Sequence, residues 1–338
     1  MKNQKTSKFL ITGTVLCALG LVLFGSGIAA GGKDYIANTD LNSYNGSASS
    51  KEDGSHAVLK KEKIDSFRNL NVDFKHIDLS VRESEDDNFY LSYNVETTKG
   101  IIPVSWQVTN GTLNLSETNG HVTSGYVHID IGFLKDLLTA QHISDALSDN
   151  QVVVYIPRDQ ELDTFSCQME EGDLKLDAMN CRNFNLQSNL GDLTLENLTI
   201  ENGSLSDKEG DVSIAESSLN NLNLDCSAGD LIIKSSSFTE STLTLSAGDI
   251  DGTEVSFDNN CQISSKMGDI ELSIPEKNLS DLALSLNADM GDIDVPLNLS
   301  GYLITDDDRN TYKKKNDSTS NVLTVQSDYG DITVHVAD

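Results

Sequence analysis

Any chemistry in this sequence would have to come mainly from its carboxylates. Of 338 residues, 53 are Asp or Glu against 24 Lys or Arg, a formal net charge of −29. Eight of the acids stand in a recurring Gly-Asp dipeptide: Gly172-Asp173, Gly191-Asp192, Gly210-Asp211, Gly229-Asp230, Gly248-Asp249, Gly268-Asp269, Gly291-Asp292 and Gly330-Asp331. Carboxylates stacked at a fixed spacing repel one another, and Ca²⁺ could bridge them. The same pair also makes a tight corner. Gly allows positive φ or a close backbone approach, and the Asp side chain accepts backbone N–H groups two residues on. The corner reading is preferred, because the spacing departs from the Gly-Gly-x-Gly-x-Asp nonapeptide of calcium-bound β-rolls.

A second acidic cluster, Asp306-x-Asp308-x-Asn310 with Asp317, partly copies a calcium loop. Its sixth position is Thr311 rather than Gly, and Lys313-Lys314-Lys315 falls inside it, so it reads as a charged insertion loop over residues 304–320. The six His are 56, 76, 121, 128, 142 and 335, leaving none between residues 143 and 334. A Ser-His-Asp or Cys-His arrangement would therefore have to reach across the chain. Cys17, Cys167, Cys181, Cys226 and Cys261 form no C-x-x-C pair, and the last four sit at different phases of the repeat. Cys167 replaces a Leu-type interior residue and reads as a small buried hydrophobe, and the differing phases and the lack of a C-x-x-C pair argue against disulfides and a zinc site. No Gly-Lys-Ser/Thr phosphate loop and no His-Glu-x-x-His occurs. The expectation is no catalytic residue and no cofactor, with calcium as the weaker alternative. A polysaccharide-active enzyme of β-helical type is the least favoured class, because the turns are short and the acidic surface repels anionic polymers.

The dipeptides also report the elements that carry them. The first four spacings are 19 residues each, and the next are 20, 23 and 39, the last being two periods plus one. Two residues after each Gly stand Leu174, Leu193, Val212, Leu231, Ile250, Ile270, Ile293 and Ile332. Four after stand Leu176, Leu195, Ile214, Ile233, Gly252, Leu272, Val295 and Val334, and five before stand Cys167, Leu186, Leu205, Leu224, Leu243, Ile263, Leu286 and Val325. Alternation in steps of two marks strands with one buried face. A 19-residue unit cannot bury that face alone, but stacked units can, each about 4.8 Å above the last. The implied fold is all-β, a single-chain β-solenoid of about 19-residue rungs, over residues 66–338. Ile77, Leu79, Val81 and Ile102, Val104, Trp106, Val108 extend the alternation N-terminally, while Phe133, Leu134, Leu137, Leu138 and Leu147 fit a helical stripe over 133–147.

Upstream, residues 1–8 carry Lys2, Lys5 and Lys8, and residues 9–32 carry no charge. Residues 9–30 are long enough to span a bilayer, and the basic flank keeps the N-terminus cytoplasmic. The expected location is a single-pass protein of the cell membrane with its C-terminal domain outside. A cleaved signal ending near Ala29, with secretion, is the alternative. Residues 31–65, rich in Gly, Ser and Asn, read as a flexible linker. Nucleic acid is excluded as a partner, since phosphate contacts need positive charge.

The run Val152–Ile156, Pro157, Leu162-Asp163-Thr164-Phe165 leading into Glu171-Gly172-Asp173-Leu174 resembles a bacterial adhesin-like family built of Gly-Asp β-strand repeats, domain of unknown function family 4097. The resemblance covers roughly residues 66–338 and extends to the membrane-anchored proteins of Lia-type envelope-stress operons. It implies an exported β-repeat domain and brings no catalytic residues with it. Two functions follow as expectations. One is a surface interaction protein, a stiff acidic rod on a tether that contacts an envelope component or protein partner. The other is an accessory regulator of an envelope-stress sensor.

Overall fold

Each regular repeat places a strand before the Gly-Asp corner and a short strand after it, and over residues 218–267 the strand before the corner is split in two, as in Ser218–Asn220 with Leu222–Ala228 and Ser237–Thr239 with Thr242–Leu245. Asn180–Leu190 leads into Leu193–Glu196, Thr199–Glu209 into Val212–Ala215, and Leu222–Ala228 into Leu231–Lys234. A computed structural model describes residues 56–97, 101–118, 148–306 and 309–337. These fall in one of two compact units, residues 54–121 and 147–338. The expected anchor at 9–30 and helical insertion at 133–147 lie outside the described residues. Among the described residues no helix is long and apolar enough to cross a membrane.

The strands before the corners belong to a 16-stranded sheet and those after them to a 12-stranded one. Through the regular repeats the pairing is parallel and shifted by one period: Leu193 lies between Leu174 and Val212, and Leu205 between Leu186 and Leu224. The alternation in the sequence is the reason. Leu174, Leu193, Val212, Leu231, Ile250, Ile270 and Ile332 are buried in one column, and Leu186, Leu205, Leu224, Leu243, Ile263 and Val325 in another. Burying each such side chain stabilises by about 1.5–3 kcal/mol. Two aromatic pairs pack in further columns, Phe165 stacked on Phe184 at 5.1 Å in register with Gly203 and Leu222, and Phe238 on Phe257 at 6.0 Å in register with Ile200 and Leu219. Ile293 and Val295 are only partly buried, because their rung closes one end of the ladder.

Both ends depart from sequence order. The strand pair Asn69–Phe74 and Asp78–Glu83 lies between Thr112–Glu117 with Gln151–Ile156 on one side and Glu161–Met169 with Leu174–Asp177 on the other. At the far end, Val322–Tyr329 and Ile332–Ala337 fill the place between the rungs of Gly268 and Gly291. The 39-residue spacing is therefore not two stacked rungs. It is an excursion followed by the return of the last rung into an open slot.

That excursion corrects the charged loop expected at 304–320. Tyr302–Asp306 and Arg309–Lys314 form an antiparallel hairpin that extends the 16-stranded sheet. Lys314 is buried rather than solvated. Its Nζ donates to the carbonyls of Leu279 at 3.1 Å, Ser280 at 2.8 Å and Leu282. These carbonyls close Glu276–Asp281, the only α-helix among the described residues, so one cation satisfies C-terminal groups that a helix leaves open. The expected linker also ends earlier than residue 65. His56–Ile64 is a strand, paired antiparallel with Phe89–Glu96.

Candidate functional site

The corners form a continuous chain of hydrogen bonds. The Oδ1 of Asp78 accepts the N–H of Asp173 at 2.9 Å, and Asp173 accepts that of Asp192 at 2.9 Å. Asp192 then accepts from Asp211 at 3.0 Å, Asp211 from Asp230 at 2.9 Å, Asp230 from Asp249 at 2.9 Å and Asp249 from Asp269 at 2.8 Å. Because the last rung is inserted, the chain next runs from Asp269 to Asp331 at 2.8 Å and from Asp331 to Asp292 at 2.7 Å. It ends on Asn310, whose amide donates to Asp292 Oδ1 at 3.4 Å and to the Gly291 carbonyl at 2.8 Å. The sequence reading had each Asp holding its own corner two residues on. Instead each carboxylate holds the next rung.

Gly is required at these corners for two reasons. Gly172, Gly191, Gly210, Gly229, Gly248, Gly268 and Gly330 have φ between +120° and +153°, where side chains are strained. At Gly191, Gly210, Gly229, Gly248, Gly268, Gly291 and Gly330, moreover, an added Cβ would overlap the carbonyl oxygen of the neighbouring rung's Gly. The rungs stack at backbone contact, and this brings each Asp N–H within reach of the carboxylate beside it.

Asp78 belongs to the ladder although Ile77 precedes it where every other member has Gly. The weak calcium candidates are separated. Asp306 faces Arg309 across the hairpin, Asn310 caps the ladder, Asp317 lies beyond the hairpin, and Asp308 is outside the described residues. Among the described residues no group of three or more His, Cys, Asp or Glu is placed to hold a metal ion.

Three residues before most of the corner Gly residues, an inward-facing side chain is small or polar, while Met169 and Leu245 stand before Gly172 and Gly248. The small and polar side chains include Ser188, Asp207, Cys226, Ser265 and Ser327, all buried. Among the described residues the Oγ of Ser265 and Ser327 make no hydrogen bond, and Ser188 Oγ and the Asp207 carboxylate lie near each other without a well-formed one, so that Ser188 offsets only part of the cost of burying Asp207. Burial pushes the Asp207 carboxyl up to about 6, with Asp192 and Asp211 reinforcing the rise. Alternation from Leu205 was the signal for this inward carboxylate. Cys167 is a buried free thiol, as its interior position in the repeat suggests, and Cys181, Cys226 and Cys261 are buried free thiols as well. Burial raises all four, Cys181 to about 11 and Cys226 to about 12, so they are held as unreactive thiols.

An open groove of about 910 Å³ runs along a second corner, lined by residues that include Asn197, Glu216, Ser235 and Glu254. Two of its hydroxyls hold backbone: Ser217 Oγ accepts the Leu198 N–H at 3.0 Å, and Ser236 Oγ accepts that of Ser217 at 3.1 Å.

Outward-facing apolar residues are different. Immediately before the corner Gly, Met267, Tyr329 and Met290 lie side by side on adjacent rungs. They are 60 %, 58 % and 57 % exposed. In sequence they are scattered over more than three repeats, and only the inserted last rung brings Tyr329 between the two methionines.

The family model described as Toastrack DUF4097 matches residues 67–335. No curated protein matches the sequence. Solved structures show a fainter likeness. A candidate adhesin of Bacteroides fragilis is 12 % identical with a TM-score of 0.39, covering 83 % of this chain and 97 % of its own. A candidate adhesin of Parabacteroides distasonis is also 12 % identical with a TM-score of 0.41, covering 83 % and 98 %. A candidate lipid-binding protein of the same organism, again 12 % identical, has a TM-score of 0.43 and covers 83 % and 97 %. Likeness at this level says nothing of what the chain binds.

Proposed function

This chain belongs to the Toastrack DUF4097 family, and from that premise we propose that it is a non-enzymatic, membrane-anchored surface interaction protein. Its repeat domain stands outside the cell and presents an apolar contact strip to an envelope component or protein partner. The observation that carries this reading is the Met267–Tyr329–Met290 column, three large apolar side chains more than half exposed on neighbouring rungs. Contiguous exposed apolar surface on an otherwise acidic protein marks an interaction site, and Met and aromatic residues are enriched at contact centres. The most regular polar groups of the fold serve its own backbone: each ladder carboxylate holds an N–H of the next rung. The buried thiols offer no nucleophile.

Anchoring rests on Lys2, Lys5 and Lys8 followed by the uncharged residues 9–32. Protease added to intact protoplasts tests the topology. It should remove the repeat domain and leave an N-terminal tag protected, whereas a mature chain starting near Ala30 in the medium would establish secretion. Saturable binding of labelled protein to intact cells lacking the gene tests the contact function. Absence of saturable binding removes the proposal.

A further inference from the structure

We propose that the hairpin strand Tyr302–Asp306 is a self-complementary docking edge, on which a second copy of this chain adds its own Tyr302–Asp306 antiparallel. Among the described residues the strand is the outermost of the 16-stranded sheet at that end, paired on one side only, with Arg309–Lys314. All five of its residues are exposed, including Tyr302 at 46 %, Leu303 at 54 % and Ile304 at 51 %. An unpaired edge with apolar side chains exposed on both faces is a template for strand addition.

Other edges are defended. His56–Ile64 carries Lys60, Lys61 and Lys63 and a register shift between Leu59 and Glu62. Ile293–Asp294 is only two residues long. Val104–Thr109, at the opposite end of the same sheet, follows Pro103 and exposes the polar Ser105, Gln107 and Thr109 while Trp106 and Val108 are partly buried. Such devices are the usual protection of edges, and Tyr302–Asp306 has none of them before Asp306.

Charge decides which occupant fits. A chain of net charge −29 repels its own copy in general, but this hairpin is an exception. Tyr302 lies opposite Lys313, Ile304 opposite Thr311 and Asp306 opposite Arg309. Antiparallel self-pairing centred on Ile304 places Asp306 of one copy opposite Tyr302 of the other. Each outer row then reads Arg309, Asp306, Tyr302, Lys313 across the two hairpins. No like charges face one another directly, and each carboxylate has a cation beside it on its own hairpin, with the other copy's Lys313 two strands away along the same row. The central row sets Ile304 against Ile304, the cross-strand apolar pair that stabilises sheets. Val104–Thr109 carries no charge to complete such rows, so a head-to-tail stack lacks this match.

The test is cysteine cross-linking of the full chain. Directly opposed residues in an antiparallel pair have Cα atoms about 4.5–5.5 Å apart, within the range of about 4.4–6.8 Å that a disulfide spans. Under mild oxidation, Ile304→Cys should form a disulfide dimer at least about tenfold faster than Asn298→Cys, an exposed control, because only the former has a high effective concentration of its partner. Tyr302→Cys should cross-link poorly with itself and well with Asp306→Cys. A second variant, Ile304→Lys, puts two cations face to face and should abolish self-association in sedimentation without lowering the melting temperature. Equal rates at residues 304 and 298 would overturn the proposal, as would preferential linking of Ile304→Cys to Trp106→Cys, which would mean a head-to-tail stack.

Discussion

At each corner, Gly removes a side chain that would collide with the preceding rung of the stack, and Asp supplies an oxygen to the N–H of the rung that follows. Asn has the same acceptor oxygen without the charge. The triple change of Asp211, Asp230 and Asp249 to Asn should therefore leave the melting temperature at or above that of the parent, because like charges in register oppose each other. Millimolar Ca²⁺ should shift neither protein much. A large calcium shift in the parent, lost in the variant, would make the ladder a binding site by mass action. Gly229→Ala should be severe, since a Cβ there overlaps the Gly210 carbonyl oxygen. Asp207 makes a separate prediction. Its carboxyl titrates at about 6 in the fold, above the ordinary 3.8. The folded chain thus holds the proton more tightly, and this contribution is complete below the ordinary value and lost as pH rises through 6. By neutral pH the loss is roughly 3 kcal/mol. Urea midpoints from pH 4 to 7 should fall in the parent relative to Asp207→Asn, and a flat difference would contradict a desolvated carboxylate. Gly-Asp was legible in the sequence because backbone contact admits no other residue than Gly. Asp78 was not, because Ile77 breaks the pattern while the backbone still delivers its carboxylate to Asp173.

For the rungs, the alternation of apolar residues was sufficient to identify the buried faces. Leu224 and Leu231 are fully buried, and Lys234 is exposed. Leu224→Asp or Leu231→Asp should cost several kcal/mol, since an unpaired charge would be buried. Lys234→Asp should cost within about 0.5 kcal/mol. Equal and mild effects in thermal melts would mean the wrong face. Rung order was not legible, because spacing reports period and not which neighbour a rung finds. Removing residues 322–338 tests it. A tail stacked last would be lost with little effect, but Leu323, Val325, Ile332 and Val334 are buried between two other rungs. The truncated chain should lose its cooperative melt. Retention of the parent transition would show that the last rung is not inserted.

On the scale of the whole molecule, the structural role and the proposed interaction role fall on different residues beside the same corner. The carboxylates following each Gly hold rungs together, and Met267, Tyr329 and Met290 preceding three of them face solvent. That separation was hidden in the sequence, where Tyr329 lies far from both methionines and becomes their neighbour only through the inserted rung. Binding of labelled full chain to intact cells lacking the gene is the most direct measurement of the central claim, comparing three proteins of matched stability. The account predicts that Asp211, Asp230 and Asp249 changed together to Asn bind like the parent. Met267, Tyr329 and Met290 changed together to Ser should lose at least about tenfold in affinity, a modest value for a contact centre of three large side chains. The reverse pattern, with binding lost in the Asn protein and kept in the Ser protein, would contradict it and place the contact on the acidic ladder.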